Sequence, residues 1–337
     1  MTKNEVFGTG PNGETVTKVV LRGGGLTAAV LTWGAIIQDL RLDGHDAPLV
    51  LGFETLPDYL QHSPFFGATP GRNANRIANG HIFIDGEDYQ LECNEGGVTH
   101  LHGGSDGIAK QNWDLISVSD NSVMLQITDP DGRAGYPGNC TITCTYELKD
   151  DGVLSVLYEI TTDKPTIANV CQHSYFVLDD TGDTSHHEMM IKADHYLPTN
   201  ARQIPEGGPR DVTRTPFDFR TAKSVVQQEN GAQVLYDHNF CLSNERVAKR
   251  LVAEARSAVS GVSMKVLTTE PGVQYYAAFK VNVPVQGLGG RHYGSFSGFC
   301  LETQIWPDAI NQKGFPKAIL RPGEVLRQET DYVFSKA

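Results

Sequence analysis

The sequence predicts an all-β protein, a large antiparallel β-sandwich with only a few short helices. Three observations support this prediction: strict alternation of apolar and polar residues, turns between the alternating segments, and many turn-forming residues. The 337 residues include 35 glycines and 17 prolines, which favours many turns and hence many short strands. Hydrophobic residues make up 39% of the chain, enough for a large core without metals or disulfides.

The clearest strand covers residues 140–148. Its apolar face carries Cys140, Ile142, Cys144, Tyr146 and Leu148. Threonines and Glu147 alternate with them, and this period of two is typical of a half-buried strand. A turn at 149–152 and a returning strand at 153–162 complete a predicted hairpin.

Two further hairpins are predicted. The first joins residues 81–84 to 89–91 through the turn at Asp85-Gly86, and the second joins 250–256 to 262–268. Residues 244–255 also fit a helix, because apolar residues recur there at i, i+4 and i+8. We favour a strand in the second half of that segment.

Other alternating segments predict the remaining strands, and two segments predict short helices. Strands are expected at residues 17–21, 27–32, 36–42, 122–128, 189–193 and 274–281, and helices at 56–61 and 221–228. No segment has the composition of a linker, and no repeat recurs at a fixed period. Residues 1–337 are therefore predicted to form a single domain of two packed sheets.

The formal net charge of −12 argues against nucleic acid and anionic membranes as partners, because both attract basic surfaces. No apolar stretch reaches the roughly 18 residues that a membrane span needs. The six cysteines form no C-x-x-C pair and do not resemble a disulfide framework. The N-terminus lacks an apolar signal core. These features predict a soluble, reduced, cytoplasmic protein.

Polar residues are unusually dense in five runs: residues 71–77, 99–104, 171–176, 235–240 and 299–311. In the last run Glu302 follows an apolar stretch, where a buried carboxylate is costly unless it is paired or takes part in chemistry. Gln304, Trp306 and Asn311 follow it and suit hydrogen bonds to, or stacking on, a polar ligand. A buried glutamate satisfied by backbone donors explains the run equally well.

Two runs carry histidines. His100 and His102 lie on one side of a predicted strand and suit metal ligands or a hydrogen-bonding pair. A metal needs a third ligand, which no nearby residue pattern supplies, so we expect none. His173 suits a general acid, because imidazole titrates near neutrality. By itself such a residue is more often a core histidine, and it forms no Ser–His couple with Ser174, since strand neighbours point apart.

The remaining two runs combine amides with charged groups. Asn75 and Arg76 suit a polyhydroxyl ligand, although a solvated turn with one salt bridge also explains them. Asp237 lies beside His238 and Asn239, an arrangement that fits an Asx turn as well as a binding site.

Together these runs resemble the aldose 1-epimerase family, the galactose mutarotases, over nearly the whole chain. The matching motifs keep the family's order: Asn75-Arg76-Ile77; His102-Gly103-Gly104 with Trp113; Asp131-Gly132 through Gly135-Tyr136-Pro137-Gly138; His173-Ser174-Tyr175-Phe176; Asp237-His238-Asn239-Phe240; Thr269-Glu270-Pro271-Gly272-Val273-Gln274; and Leu301-Glu302-Thr303-Gln304 with Pro307-Asp308-Ala309 and Asn311. The resemblance implies a galactose mutarotase-like supersandwich with an open sugar cleft and no cofactor. It also implies interconversion of the α- and β-anomers of free aldoses such as galactose and glucose.

The resemblance implies roles for three catalytic residues. Glu302 matches the general base, which takes the proton from the anomeric O1 hydroxyl. His173 matches the general acid, which protonates the ring oxygen, and His102 matches a second histidine that bonds the sugar near the reacting end. Such an acid–base pair needs no metal, nucleotide or covalent intermediate, and each partner contributes about 10²–10⁴-fold in rate.

Four further residues are implied to bind the sugar. Arg76 and Asp237 match residues that hold sugar hydroxyls, and Asn75 and Gln274 lie in motifs that line the cleft. The implied partner is a small aldose. We expect a monomer or a homodimer, and the sequence does not decide between them.

The chain departs from the family pattern in two places. Residues 275–279 lack the asparagine that many members carry after a Tyr-Thr-Gly run, and Gln172 and Val177 replace two asparagines around His173. Neither change affects the implied acid or base, so the departures bear on sugar preference.

Three rival functions remain open. Asp237 and Glu302 suit the carboxylate pair of a glycoside hydrolase. A hexose-6-phosphate epimerase of the same broad fold would need extra cations for phosphate, and Arg72 is the only surplus one in a matching motif. A sugar-binding protein with a relic site is disfavoured, because both Glu302 and His173 are retained.

Overall fold

The computed structural model describes residues 3–337. In chain order the strands are β1 Lys3–Thr9, β2 Thr15–Gly23, β3 Leu26–Leu31, β4 Ile36–Leu42, β5 Arg76–Ala78, β6 His81–Ile84, β7 Glu87–Gln90, β8 Thr99–Leu101, β9 Asp114–Val118, β10 Ser122–Asp129, β11 Cys140–Lys149, β12 Val153–Thr162, β13 Thr166–Ile167, β14 His187–Ile191, β15 His195–Tyr196, β16 Arg210–Asp211, β17 Lys223–Ser224, β18 Gln228–Glu229, β19 Ala232–Gln233, β20 Asp237–Cys241, β21 Arg250–Ser257, β22 Val262–Thr268, β23 Gly272–Tyr276, β24 Cys300–Gln304, β25 Ile319–Leu320 and β26 Leu326–Lys336. The helices are α1 Leu56–His62 and three 3₁₀ turns at Ile108–Lys110, Arg133–Gly135 and Leu288–Gly290.

Three antiparallel sheets dominate the fold. The largest has nine strands in the order β17-β14-β21-β22-β26-β12-β11-β10-β9. A four-stranded sheet follows the chain order β1 to β4, and a five-stranded sheet has the order β16-β15-β20-β23-β24. Buried side chains of all three sheets belong to one apolar cluster, among them Leu21 of β2, Tyr146 of β11 and Leu301 of β24. The predicted all-β sandwich is confirmed.

The strands with the clearest alternation form as predicted. In β11 the residues Cys140 to Leu148 at every second position are buried, and β11 pairs with β12 along their full length. The hairpin β21–β22 confirms a strand, and not a helix, in the second half of residues 244–255. Helix α1 forms as predicted, with Thr55 as its N-cap accepting from the backbone N–H of Asp58.

Two predicted elements are wrong. Residues 221–228 form no helix, because Lys223–Ser224 pairs as an edge strand with β14, and this tertiary pairing overrides local propensity. The strand predicted at 274–281 ends at Tyr276, and Ala278 has a φ of 53°. A non-glycine residue in this left-handed region breaks the extended backbone, so the chain turns away from the sheet there.

All six cysteines lie within the described residues and are free thiols. Within residues 3–337 no helix combines the length and the apolar character that crossing a bilayer requires.

Candidate active site

All five polar runs contribute side chains to one cavity of about 230 Å³. The lining residues come from segments far apart in the chain: Pro64, Phe65, Asn75, Arg76, Glu95, Leu101, His102, His173, Tyr175, Asp237, Tyr276, Lys280, Val281 and Glu302. The fold therefore brings together six of the seven residues that the sequence singles out. The seventh, Gln274, is not among the lining residues and donates a hydrogen bond of 2.8 Å to Asp237.

The five-stranded sheet positions the carboxylates. Glu302 on β24 lies opposite Gln274 on β23, which lies opposite Asn239 on β20. Directly paired residues share a face of an antiparallel sheet, and Asp237 shares it too, since it precedes Asn239 by two. The register of three strands thus places Glu302 and Asp237 on the face that lines the cavity.

The short sheet β5–β8 positions Arg76 and His102. Strand β8 ends at Leu101, and His102 has a φ of 52°, so it does not share a strand face with His100. This corrects the sequence prediction. The His100 ring contacts the Glu92 carbonyl and the Tyr136 hydroxyl, away from the cavity, and His100 is a structural residue.

The tautomer of His102 is set by one backbone contact. The N–H of Asn75 donates to Nδ1 of His102 over 3.1 Å, so the proton of a neutral ring lies on Nε2. Burial, with the neighbouring His173 as a smaller cause, holds the pKa of His102 well below its usual value. His102 is therefore a neutral ring whose Nε2–H is a hydrogen-bond donor.

The Glu302 side chain is buried, with 3% of its surface exposed, and its nearest polar contacts are long. The Cys171 thiol donates to Oε2 over 3.5 Å, and the carboxylate accepts no other hydrogen bond among the contacts described for residues 3–337. Burial, followed by repulsion from Asp237, raises the pKa of Glu302 to about 8. The sequence left open that Glu302 is a structural residue hydrogen-bonded by backbone N–H groups, and these contacts do not fit that interpretation.

His173 faces Glu302 across a gap. Its Nε2 lies 3.7 Å from Oε1 of Glu302, too long for a direct hydrogen bond. The ring stacks between Phe65 and Tyr175, with centroids 5.8 Å and 5.2 Å away. Burial lowers the pKa of His173 to about 4, so at neutral pH the empty pair holds one proton, on Glu302.

Arg76 and Asp237 are fixed by neighbours on both sides. Glu95 holds Arg76 through Nε at 2.7 Å and Nη2 at 2.8 Å, a bidentate pair. Gln203 bridges Arg76 to Asp237, and the ammonium of Lys280 lies 3.7 Å from Asp237. These contacts leave Nη1 of Arg76 without a partner among the contacts described for residues 3–337.

Arg72 belongs to the same sequence run but not to the cavity. It is buried, with Nε 2.8 Å from Asp129, and Nη1 and Nη2 donate to the carbonyls of Pro137, Gly138, Asp129 and Pro130. It is not a surplus cation for a phosphate, as the sequence left possible. Arg72 instead ties the segment that carries Asn75 and Arg76 to the β10–β11 connection.

Replacing Arg72 by methionine is expected to lower the free energy of unfolding by about 3–5 kcal/mol, because it leaves the buried Asp129 carboxylate without its main counter-ion. Urea denaturation of wild type and variant measures the difference. In the double variant Arg72→Met/Asp129→Leu the loss should be smaller. A double variant less stable than the single one would contradict this account.

The rest of the last run is structural, contrary to the sequence prediction of ligand contacts. The indole N–H of Trp306 donates to the Pro271 carbonyl, and its ring packs on Phe315. The Gln304 amide faces Asn239. Asn311 donates to the His81 carbonyl and to Asp308. Of this run only Glu302 reaches the cavity.

The fold brings together three candidate metal ligands, which the sequence pattern did not supply. His102, His173 and Glu302 offer ligand atoms that lie within 4.8 Å of one another. The bond from Asn75 occupies the lone pair of Nδ1 in His102, and the remaining nitrogen carries the proton. In this arrangement His102 suits a hydrogen bond to a ligand better than coordination of a cation.

Several cavity residues escaped the sequence analysis. Phe65, Glu95 and Lys280 line the cavity, yet no motif marks them. Tyr175 lies two residues after His173 in a run already singled out, so its position in the sequence could have identified it as a cavity residue. A larger cavity of about 410 Å³ lies beyond Phe65, and none of the seven residues that the sequence singles out lines it.

The family of the chain follows from a family model. The model described as aldose 1-epimerase matches residues 17–333. The chain belongs to the aldose 1-epimerase family. Its curated relatives in this family include galactose mutarotase of Rattus norvegicus, 40% identical over 98% of both chains. Aldose 1-epimerase of Escherichia coli K12 is 35% identical, covering 98% of this chain and 99% of the relative.

Solved structures of aldose 1-epimerase relatives share the fold. An aldose epimerase homologue from C. elegans superposes with a TM-score of 0.89 at 29% identity, over 95% of this chain and 99% of that one. Galactose 1-epimerase of Lactobacillus acidophilus superposes with a TM-score of 0.85 at 27% identity, over 100% of this chain and 99% of that one. The resemblance drawn from the sequence motifs is confirmed.

Proposed function

We propose that this chain interconverts the α- and β-anomers of free aldohexoses such as galactose and glucose. One observation carries the proposal: a carboxyl group and an imidazole that line the same cavity face each other across 3.7 Å. The two oxygens that exchange protons in ring opening, O1 and the ring oxygen, are bonded to the same carbon. An acid and a base this close together suit that reaction.

Glu302 takes the proton from O1 while His173 protonates the ring oxygen, and the ring opens to an aldehyde. The aldehyde then turns about its C1–C2 bond, and the ring closes on the other face with the two roles reversed. Sugar hydroxyls that donate to the Glu302 carboxylate lower its pKa, so binding favours transfer of the shared proton to His173. The Nε2–H of His102 donates to the sugar near the reacting carbon.

The charges of the site favour an uncharged sugar. Its two cations, Arg76 and Lys280, each contact a carboxylate, Glu95 or Asp237. A phosphate group would therefore meet engaged cations and nearby negative charge. This disfavours a hexose-6-phosphate as the substrate.

The hydrolase alternative is disfavoured by the partners of Asp237. Both of its carboxylate oxygens accept hydrogen bonds from amide N–H groups, Oδ1 from Gln274 and Oδ2 from Gln203. Glu302, with its raised pKa, suits the protonated acid of a hydrolase, so the second carboxylate decides. That carboxylate must attack the sugar or activate a water, whereas both oxygens of Asp237 are engaged, and it is His173 that faces Glu302.

Polarimetry with freshly dissolved α-D-galactose and α-D-glucose tests the function. The protein, dialysed against EDTA, is expected to accelerate the change of optical rotation over buffer alone. Xylose and arabinose extend the panel to sugar preference. Absence of acceleration with every aldose would refute the proposal, and release of reducing sugar from an aryl glycoside would favour the hydrolase.

A further inference from the structure

Gln203 occupies a tight turn beside the site. The turn is closed by the N–H of Asn200 to the carbonyl of Ile204 at 3.0 Å and the N–H of Gln203 to the carbonyl of Asn200 at 2.9 Å. The Asn200 side chain accepts from the N–H groups of Arg202 and Ile204. Gln203 has a φ of 58°, a conformation that costs a non-glycine residue about 1–2 kcal/mol. The hydrogen-bonded turn fixes the direction of its side chain.

The Gln203 amide joins three side chains that line the cavity. Its oxygen accepts from Nη2 of Arg76 and from the ammonium of Lys280, both at 2.8 Å. Its N–H donates to Oδ2 of Asp237. Gln203 is not among the residues that line the cavity, so it acts through the three side chains that it joins.

We propose that Gln203 is a positioning residue for sugar binding, which sets the spacing of Arg76 and Asp237 and thereby the choice between aldoses that differ at one hydroxyl. This inference rests on the proposed function. Strands β5 and β20 belong to different sheets, and the Gln203 amide forms a direct link between their two side chains.

The geometry explains why the link matters. With Nε and Nη2 of Arg76 engaged, Nη1 is the donor left for a sugar hydroxyl among the contacts described for residues 3–337, and its two N–H groups lie in the fixed plane of the guanidinium. With each oxygen of Asp237 already accepting one amide N–H, each has one remaining lone pair. A hydroxyl of the wrong configuration leaves one of these buried groups unpaired, which is how polar sites discriminate.

The test compares Gln203→Ala and Gln203→Glu with wild type, using galactose and glucose. In Gln203→Ala we expect KM to rise about tenfold, equivalent to about 1.4 kcal/mol, with kcat changed by less than about threefold. The ratio of kcat/KM between the two sugars should change as well. Glutamate keeps the shape and the acceptor but repels Asp237, so Gln203→Glu should raise KM at least as much.

Arg202→Ala is the matched control. Arg202 is the exposed neighbour on the same turn, and among the contacts described for residues 3–337 it uses only its backbone N–H. This variant should keep wild-type KM and sugar ratio. Thermal unfolding of all three variants separates loss of fold from loss of positioning, since a purely structural role would lower stability without changing the sugar ratio.

The outcomes separate the two levels of inference. Wild-type KM and sugar ratio in both Gln203 variants would overturn the role of Gln203 while leaving the proposed function intact. A wild-type protein that accelerates mutarotation of no aldose would overturn the proposed function itself. A raised KM and an altered sugar ratio with normal thermal stability would support the role of Gln203.

Discussion

Replacing Glu302 by glutamine is expected to lower kcat for mutarotation by about 10²–10⁴-fold, the usual contribution of a general base. Glutamine keeps the size of the side chain and still fills the gap beside His173, but it cannot take a proton from O1. The Cys171 thiol keeps an acceptor in the amide oxygen.

Polarimetry gives the rate of the Glu302→Gln variant, and titration calorimetry gives its sugar affinity. The affinity should remain within about tenfold of wild type, since Arg76, Asp237 and His102 are unchanged. The control must lie on the surface, because a substitution at a buried position would also disturb the fold. Glu229→Gln, on the exposed strand β18, is a matched carboxylate-to-amide change outside the site. A Glu302→Gln protein with a near-normal rate would show that another group is the base.

The pH dependence of kcat/KM is the second large effect. We expect a plateau between about pH 4 and about pH 8, set by the pKa values of His173 and Glu302 in the empty site. Below the plateau both groups are protonated, and no base remains. Above it both are deprotonated, and no acid remains. Outside the plateau the rate should fall about tenfold per pH unit.

The profile is measured after subtraction of buffer-catalysed mutarotation at each pH. The two limits belong to the pair and not to either residue alone, because protonation of one group alters the other. In Glu302→Gln the fall at high pH should shift or vanish, since the group that holds the proton is gone. A wild-type rate that rises steadily from pH 5 to pH 10 would contradict the acid–base pair.

The alternation of apolar and polar residues predicted those strands in which the local preference of the sequence agrees with the burial imposed by the fold. The alternation in β11 coincides with one buried and one half-exposed face, so it reads directly from the sequence. Residues 221–228 carry no such agreement. Their strand exists only because β14 lies beside it, and a partner more than 30 residues away leaves no local trace.

The residues of the candidate site likewise fall into those that the sequence marked and those that it did not. Glu302 and His173 stood out because charged or titratable groups within apolar runs are costly without a role. His102 stood out as one of two histidines two residues apart. Gln203 and Glu95 lie in ordinary polar loops, where their residue types are common. Their importance arises from contacts with Arg76, which the fold creates and the local sequence does not mark. Trp306 was misjudged for the opposite reason, since an aromatic residue near a base serves the core as readily as a ligand.

The placement of the shared proton has a consequence for the direction in which the site works. In the proposed reaction, ring opening leaves a protonated Glu302 and a neutral His173. This is also the distribution that burial favours in the empty cavity. The resting protein therefore already has the protonation state that the acyclic aldehyde needs. Protonated Glu302 can donate to the carbonyl oxygen, and neutral His173 can accept the proton of the C5 hydroxyl. An open-chain sugar that arrives from solution would be cyclised without any prior rearrangement of protons.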